Sequence, residues 1–315
     1  MYNAEQKTKF IYQYSEAISL REFALNVFNT FEPHEEAYGS DLCTMDIDTI
    51  RPVFEGIAGI RSSSMRMPLN LLQEYVTWCK ENNIPGTTDA VFQITDVSVE
   101  KLKRQTLRNP RHLQKYLDFV CEPESEETTD NNIRTFFWLA YSGMPSDDIL
   151  HVESGDVDFR HMIVRFKDRE YPIYIEALPA MRNCVELTQF VYKHAHYKND
   201  TVIDRVPGNI LIRGIRGLPN TNSIRAIVSR CGKKARDGGL DMDLNYYGVW
   251  LSGVFYRMYE MEQGGAPVDF TSVVMDRRDG KPLNLSSGRN TQGAKIRYME
   301  KEYRIDYERW KRTLL

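Results

Sequence analysis

The chain has 315 residues, is 42% hydrophobic and 27% charged, and carries a formal net charge of −3. That length accommodates two domains with a core each; no apolar run reaches the length of a membrane span, and the opening "MYNAEQKTKF" lacks the apolar centre of a secretory signal. The five cysteines (Cys43, Cys79, Cys121, Cys184 and Cys231) are odd in number, scattered and without a CxxC pair, which points to a reduced, cytoplasmic setting and excludes a disulfide framework.

Residues 4–30 place Phe10, Ile11, Tyr14, Ile18, Phe23, Ala24, Val27 and Phe28 at three- and four-residue spacing, a helical pattern. Residues 31–48 are acidic and read as a loop, and "MDIDTIRPVFEGI" reads as a short helix. "SSSMRMPLNLLQEYVTWCKENNIPG" is the clearest helix of the first half: serines open it, one face carries Leu69, Leu72, Tyr75, Val76 and Cys79, and Asn83 to Gly86 stop it. The first hundred residues are therefore expected to be an all-helical domain.

Residues 93–108 carry little apolar periodicity and many cations, as a link between domains would. "HLQKYLDFV" reads as a short helix, "CEPESEETTD" as an acidic loop with Thr129-Asp130 capping the next helix, and "NNIRTFFWLAYSG" as the central helix of a second core. "HMIVRFKDREYPIYI" alternates about Lys167-Asp168-Arg169 as a β-hairpin does. Residues 176–196 read as helical. "NSIRAIVSRCGKKA" is expected to be a helix capped by Asn222 or Ser223, "YYGVWLSGVFYRMYEMEQGG" one closed by Gly264-Gly265, and "AKIRYMEKEYRIDYERWKRTLL" a charged terminal helix that docks on its own body or on a neighbour.

The small net charge hides a segregated surface. No acid occurs from Arg205 to Arg236, a stretch with Arg213, Arg216, Arg225, Arg230, Lys233 and Lys234; none occurs from Lys101 to Leu117, with Lys103, Arg104, Arg108, Arg111 and Lys115. Solvated faces ordinarily mix signs, so acid-free stretches favour nucleic acid. A Gly/Asn-rich loop, "GIRGLPNTN", leads into the second cluster and offers phosphate a helix N-terminus. His194 and His196 form HxH, whose rings face apart on a helix, and no other Cys/His group has ligand spacing. No P-loop, no GxGxxG after a strand and no GxSxG is present. No metal and no cofactor is expected.

The order of these segments resembles the tyrosine recombinase or phage integrase family over most of the chain. The helical first half resembles its core-binding (SAM-like) domain, here residues 1–100; residues 101–315 resemble its second, catalytic-type domain. "IRTFFWLAYSGMPSDDILHVESGDVDF" resembles the first arginine box, "IVRFKDREYPIYI" the lysine-bearing hairpin, "YYGVWLSGVFYRMYE" the His-x-x-Arg box, and "SGRNTQGAKIRY" the box ending in the nucleophilic tyrosine. The implied fold is mainly α with a small β-hairpin or sheet.

Carried over from that resemblance, the first arginine falls on Pro145 and the lysine on Lys167. The histidine–arginine pair falls on Tyr247 and Trp250, the last histidine on Arg289 and the tyrosine on Tyr298. Guanidinium forks match the oxygens of a pentacoordinate phosphate, and each lost donor costs on the order of 3 kcal/mol. The expectation is a protein that binds DNA but is not an enzyme, similar to the lysogeny repressors of SPβ-type temperate phages. Its expected DNA contacts are Arg61, Arg66, Lys101, Lys103, Arg104, Arg108, Arg213, Arg216, Asn222, Arg225, Arg230, Lys233, Lys234 and Arg289. Its expected partners are double-stranded operator DNA, a second copy on that DNA and a phage antirepressor, with no membrane. The rival readings are an integrase with a displaced site, and an interaction protein whose basic faces meet an acidic partner.

Overall fold

The computed structural model describes residues 1–121, 128–192, 201–205, 207–214, 220–275 and 292–315. His194, His196, Arg216, Arg289 and most of the acidic and Gly/Asn-rich loops lie outside them. The chain forms two compact units, Met1–Leu102 and Lys103–Leu315. Among the described residues no helix is long and apolar enough to cross a membrane, and no cluster of His, Cys, Asp and Glu could hold a metal ion. All five cysteines are free and buried.

The first unit is helical: α1 (Ala4–Tyr14), α2 (Ile18–Tyr38), α3 (Ile47–Ile57) and α4 (Ser62–Glu81). Its centre is aromatic, with Tyr75 edge-on to Phe10 at 5.2 Å and to Phe28 at 5.0 Å between ring centroids. The acidic stretch 31–48, expected to be a loop, is helical in its first part and loop-like only after Tyr38. α2 continues to Tyr38 and stops at Gly39, whose φ of 63° suits glycine. The reason is a buried ion pair: Glu35 accepts Lys7 at 2.5 Å, and both side chains are fully buried. Asp41 adds a second carboxylate to Lys7 at 3.6 Å and accepts the Tyr75 hydroxyl at 3.1 Å. Charge here marks a paired interior group, which composition reads as solvated chain.

Within the cationic stretch 93–108, residues Val99–Gln105 form a helix, α5. In the second unit α6 (Pro110–Val120) precedes α7 (Thr128–Tyr141). α7 begins at Thr128, ahead of its expected cap, so Thr129 and Asp130 sit in its first turn. Phe136 to Tyr141 are all at most 1% exposed, as a helix apolar on every side requires. α8 (Ser146–Ile149) follows, then strands β1 (Val157–Asp158), β2 (Ile163–Phe166) and β3 (Arg169–Pro172). These form an antiparallel sheet in the order β1-β2-β3, with Val164 opposite Tyr171 on the buried face. Phe166 pairs with Arg169, which leaves Lys167-Asp168 as the hairpin tip; the φ of Lys167 is 54°.

Residues 176–196 depart from the expected helix. Among the described residues of this stretch the α-helix is α9 (Leu178–Glu186), after a 3-10 turn at Ile175–Ala177; β4 (Gln189–Tyr192) then pairs antiparallel with β5 (Thr201–Asp204). Phe190, Val191 and Tyr192 favour extended backbone, and Val202 and Ile203 supply a matching strand. The rest is α10 (Thr221–Asp237), α11 (Tyr246–Gln263), α12 (Phe270–Met275) and α13 (Gln292–Lys311). α11 closes at Gly264 as expected. α13 docks on its own chain: Tyr307 meets Phe255 at 5.5 Å, and the Trp310 indole donates to the carbonyl of Leu107 at 2.9 Å.

Candidate nucleic-acid interface

α10 is built to present cations. Ile224, Val228, Cys231 and Ala235 are buried at helical spacing and hold one side to the core. Arg225, Arg230, Lys233, Lys234 and Arg236 are exposed, against a single acid at the last position, Asp237. The cap is Asn220, whose side chain accepts the Ser223 N–H at 2.9 Å. The expected cap, Asn222 or Ser223, is displaced by two residues or more because Asn220 forms a capping box with Ser223. Asn222 is thereby exposed in the first turn.

Several cations of this stretch serve the fold. Arg205 is 4% exposed, and its guanidinium donates to the carbonyls of Cys184 at 3.0 Å, Leu187 at 2.6 Å and Leu211 at 3.3 Å. Arg213 donates to Gly208 O at 2.7 Å, Lys234 to Val120 O at 2.9 Å, and Arg236 pairs with Asp243 at 2.5 Å. In the link, the Lys101 ammonium donates to Glu55 O and Arg104 pairs with Asp241 at 2.8 Å. Lys103 is half-buried and Arg108 exposed. Arg61 and Arg66, at the start of α4, are half-buried and each engaged within the protein.

Beside α10 lies a cleft of about 720 Å³. Phe136, Leu150, Ile224, Val228 and Leu244 give it apolar lining, and Asp147, Thr221, Arg225 and Arg236 give it polar lining. Thr221 reaches from the first turn of α10 to Asp147 of α8, Oγ1 to Oδ1 3.3 Å. α10 lines it along its length, from Thr221 to Arg236, and Asn245, Tyr246 and Tyr247 bring the start of α11 to it.

Four of the six positions carried over from the recombinase boxes, Pro145, Lys167, Tyr247 and Trp250, lie about the corner between α7 and α8. Gly143 takes a φ of 94° there. The Trp250 indole N–H donates to Gly143 O at 2.9 Å, and the Tyr246 hydroxyl to Met144 O at 2.8 Å. Pro145 caps the single turn of α8. The Lys167 ammonium leaves the hairpin tip to meet Asp148 at 2.6 Å. Tyr247 stacks on Trp250 with centroids 5.9 Å apart. Pro145, Lys167, Tyr247 and Trp250 are thus brought together, but Trp250 is 1% exposed and its donor is committed to the corner. Tyr298 stands on α13, 56% exposed.

Sequence reading missed Arg257. Its guanidinium donates to Tyr141 O at 2.8 Å, and its Nη2 lies 2.5 Å from where a Cβ on Gly143 would stand. A cation at the corner therefore comes from α11, three turns into the helix. The signal was an arginine inside the apolar run "GVFYRMYE".

Residues 1–81 match the family model described as MrpR, N-terminal core-binding domain. A comparison with curated proteins gives no match. Among solved structures the chain is similar to the integrase of transposon Tn1549 in complex with a circular intermediate DNA, at 11% identity and a TM-score of 0.37, covering 94% of this chain and 98% of that one. It is similar to XerA recombinase at 12% identity and a TM-score of 0.37, covering 96% and 98%. It is also similar to a lambda integrase dimer bound to a COC' core site, at 12% identity and a TM-score of 0.36, covering 91% and 99%. These comparisons correct one expectation. The neighbours are integrases and recombinases, which are enzymes, so the reading of the chain as a non-enzyme does not stand.

Proposed function

We propose that this protein binds duplex DNA at specific sites and regulates transcription there, as a repressor maintaining phage lysogeny. The carrying observation is α10. Its buried stripe fixes one side, and its opposite side exposes Asn222, Arg225, Arg230 and Lys233. A helix of this kind fits a major groove about 12 Å wide, where arginine reads guanine and asparagine reads adenine. Phosphate contacts then hold position and register; in this reading Arg61, Arg66, Lys101, Lys103, Arg104, Arg108, Arg213 and Lys234 contribute to that grip. Support comes also from the match of residues 1–81 to a core-binding domain. The partners of this function are operator DNA, a second copy on adjacent half-sites and an antirepressor that releases the complex. Genome-wide mapping of bound sites tests it. Discrete sites at promoters are expected; binding nowhere above background would refute it.

A second reading, DNA strand transfer, is favoured by Tyr298 standing exposed on α13 and by Lys167 at the hairpin tip. Incubation with a nicked suicide substrate tests it. A covalent protein–DNA adduct that disappears in Tyr298→Phe supports the chemistry, and no adduct in the unaltered protein removes it.

A further inference from the structure

A second charged surface lies on α6. Asn109 caps this helix by accepting the His112 N–H at 2.9 Å, and Leu113, Tyr116, Leu117 and Val120 bury its inner face. The outer face carries Arg111, His112 and Lys115 within about one turn, and Arg108 stands just before the Asn109 cap. Together with Asn109 they line a groove of about 320 Å³. No carboxylate lines it. The one acid of α6, Asp118, accepts Arg134 and Gln114 instead, each at 2.8 Å. Like charges this close repel, and a helix N-terminus adds positive potential to them. Proteins usually relieve such a cluster with an interleaved acid, and this groove has none.

We propose that the groove formed by Arg108, Arg111, His112 and Lys115 binds a phosphate group, supplied by the DNA backbone when the protein is on duplex. The chemistry fits. Arg108 and Arg111 offer planar forks, Lys115 a point charge, and His112 a ring N–H. The backbone N–H of Arg108 approaches His112 Nδ1 at 3.4 Å, which leaves the neutral ring's proton on Nε2 as a donor. Burial first, then Arg108 and Lys115, hold the imidazole below its ordinary range. A bound phosphate reverses the electrostatic part of that effect. The assignment of the phosphate to DNA rests on the proposed function; the phosphate site itself does not.

Two arms test this. In the first, inorganic phosphate is titrated at constant ionic strength while the His112 imidazole is followed by NMR. A saturable shift is expected in the unaltered protein and in Arg111→Lys, and none in the Arg111→Gln/Lys115→Gln double variant. No saturable shift, or an equal one in the double variant, overturns the site. In the second, affinity for random duplex DNA is measured over a range of salt. With DNA as the source, the double variant loses about two from the slope of log K against log salt. An unchanged slope alongside retained phosphate binding overturns the DNA assignment and makes a free phosphate or small phosphoester the ligand. An unaltered protein that binds no DNA at any salt removes the proposed function, and the first arm still decides the site. The substituted residues are exposed, and a matching thermal melt confirms that the double variant folds.

Discussion

Gly253 sits where α11 crosses the end of α7, and replacing it with alanine should break that seam. A Cβ there would approach the Tyr141 carbonyl oxygen far inside the 3.0 Å that real Cβ atoms keep. The obstacle is backbone, so the two helices must part by on the order of 1 Å, which forfeits a quarter to a half of the dispersion attraction across the opened contacts. The same movement disturbs the corner: Tyr141 O accepts Arg257, Gly143 O accepts Trp250, and Ser252 Oγ accepts the Leu107 N–H. Neutral hydrogen bonds contribute about 1 kcal/mol each and the charged one about 2 kcal/mol. With overpacking, Gly253→Ala should cost about 3 kcal/mol or more. Gly56 of α3 has nothing within 4 Å of its would-be Cβ, so Gly56→Ala should instead stabilise by about 0.5–1 kcal/mol. Urea denaturation measures both. Tryptophan emission reports mainly on the second unit through Trp138, Trp250 and Trp310, and far-UV circular dichroism reports on both units. If the two substitutions shift their midpoints alike, the close approach of α7 and α11 is not what the glycine serves.

Arg225→Ala should leave stability within about 0.5 kcal/mol and weaken specific DNA binding by about 1–3 kcal/mol. Arg205→Ala should do the reverse, since it strips a buried guanidinium from three carbonyls; thermal melts beside gel shifts separate the two. Lys7→Met leaves Glu35 buried without its cation and should destabilise the first unit by about 3–5 kcal/mol, read by urea denaturation. His112 is held below its ordinary range, so the unfolded chain takes up the proton more readily than the folded one. Its contribution to stability is therefore present above about pH 6.5 and lost as pH falls through the lower, folded value. His112→Gln should flatten the stability profile below about pH 6.5, and an unchanged profile there would show that the ring is not held neutral.

What the residues disclosed depended on periodicity. α4, the hairpin about Lys167-Asp168 and α11 follow from apolar spacing and turn chemistry, and the structure has them where that spacing puts them. The end of α2 was hidden because Glu35 looks solvated until Lys7, far away in sequence, is seen beside it. β4 and β5 were hidden because a four-residue strand needs its partner, and periodicity sees only one strand at a time. At the candidate interface, the lack of acids marked α10 correctly as a cationic face. It could not separate Arg205, spent on carbonyls in the interior, from Arg225, exposed on the helix. Arg257 escaped because an arginine on an apolar helix shows its role only once Gly143 lies beside it.

The most direct test is the salt dependence of specific DNA binding by the Arg225→Ala/Arg230→Ala/Lys233→Ala variant, measured by fluorescence anisotropy. All three side chains are exposed on α10, so the fold should persist. The slope of log K against log salt should fall by about 0.9 for each substituted cation that contacts phosphate, and discrimination between operator and random duplex should shrink for those that read bases. A variant with the slope and discrimination of the unaltered protein would contradict α10 as the DNA-reading element.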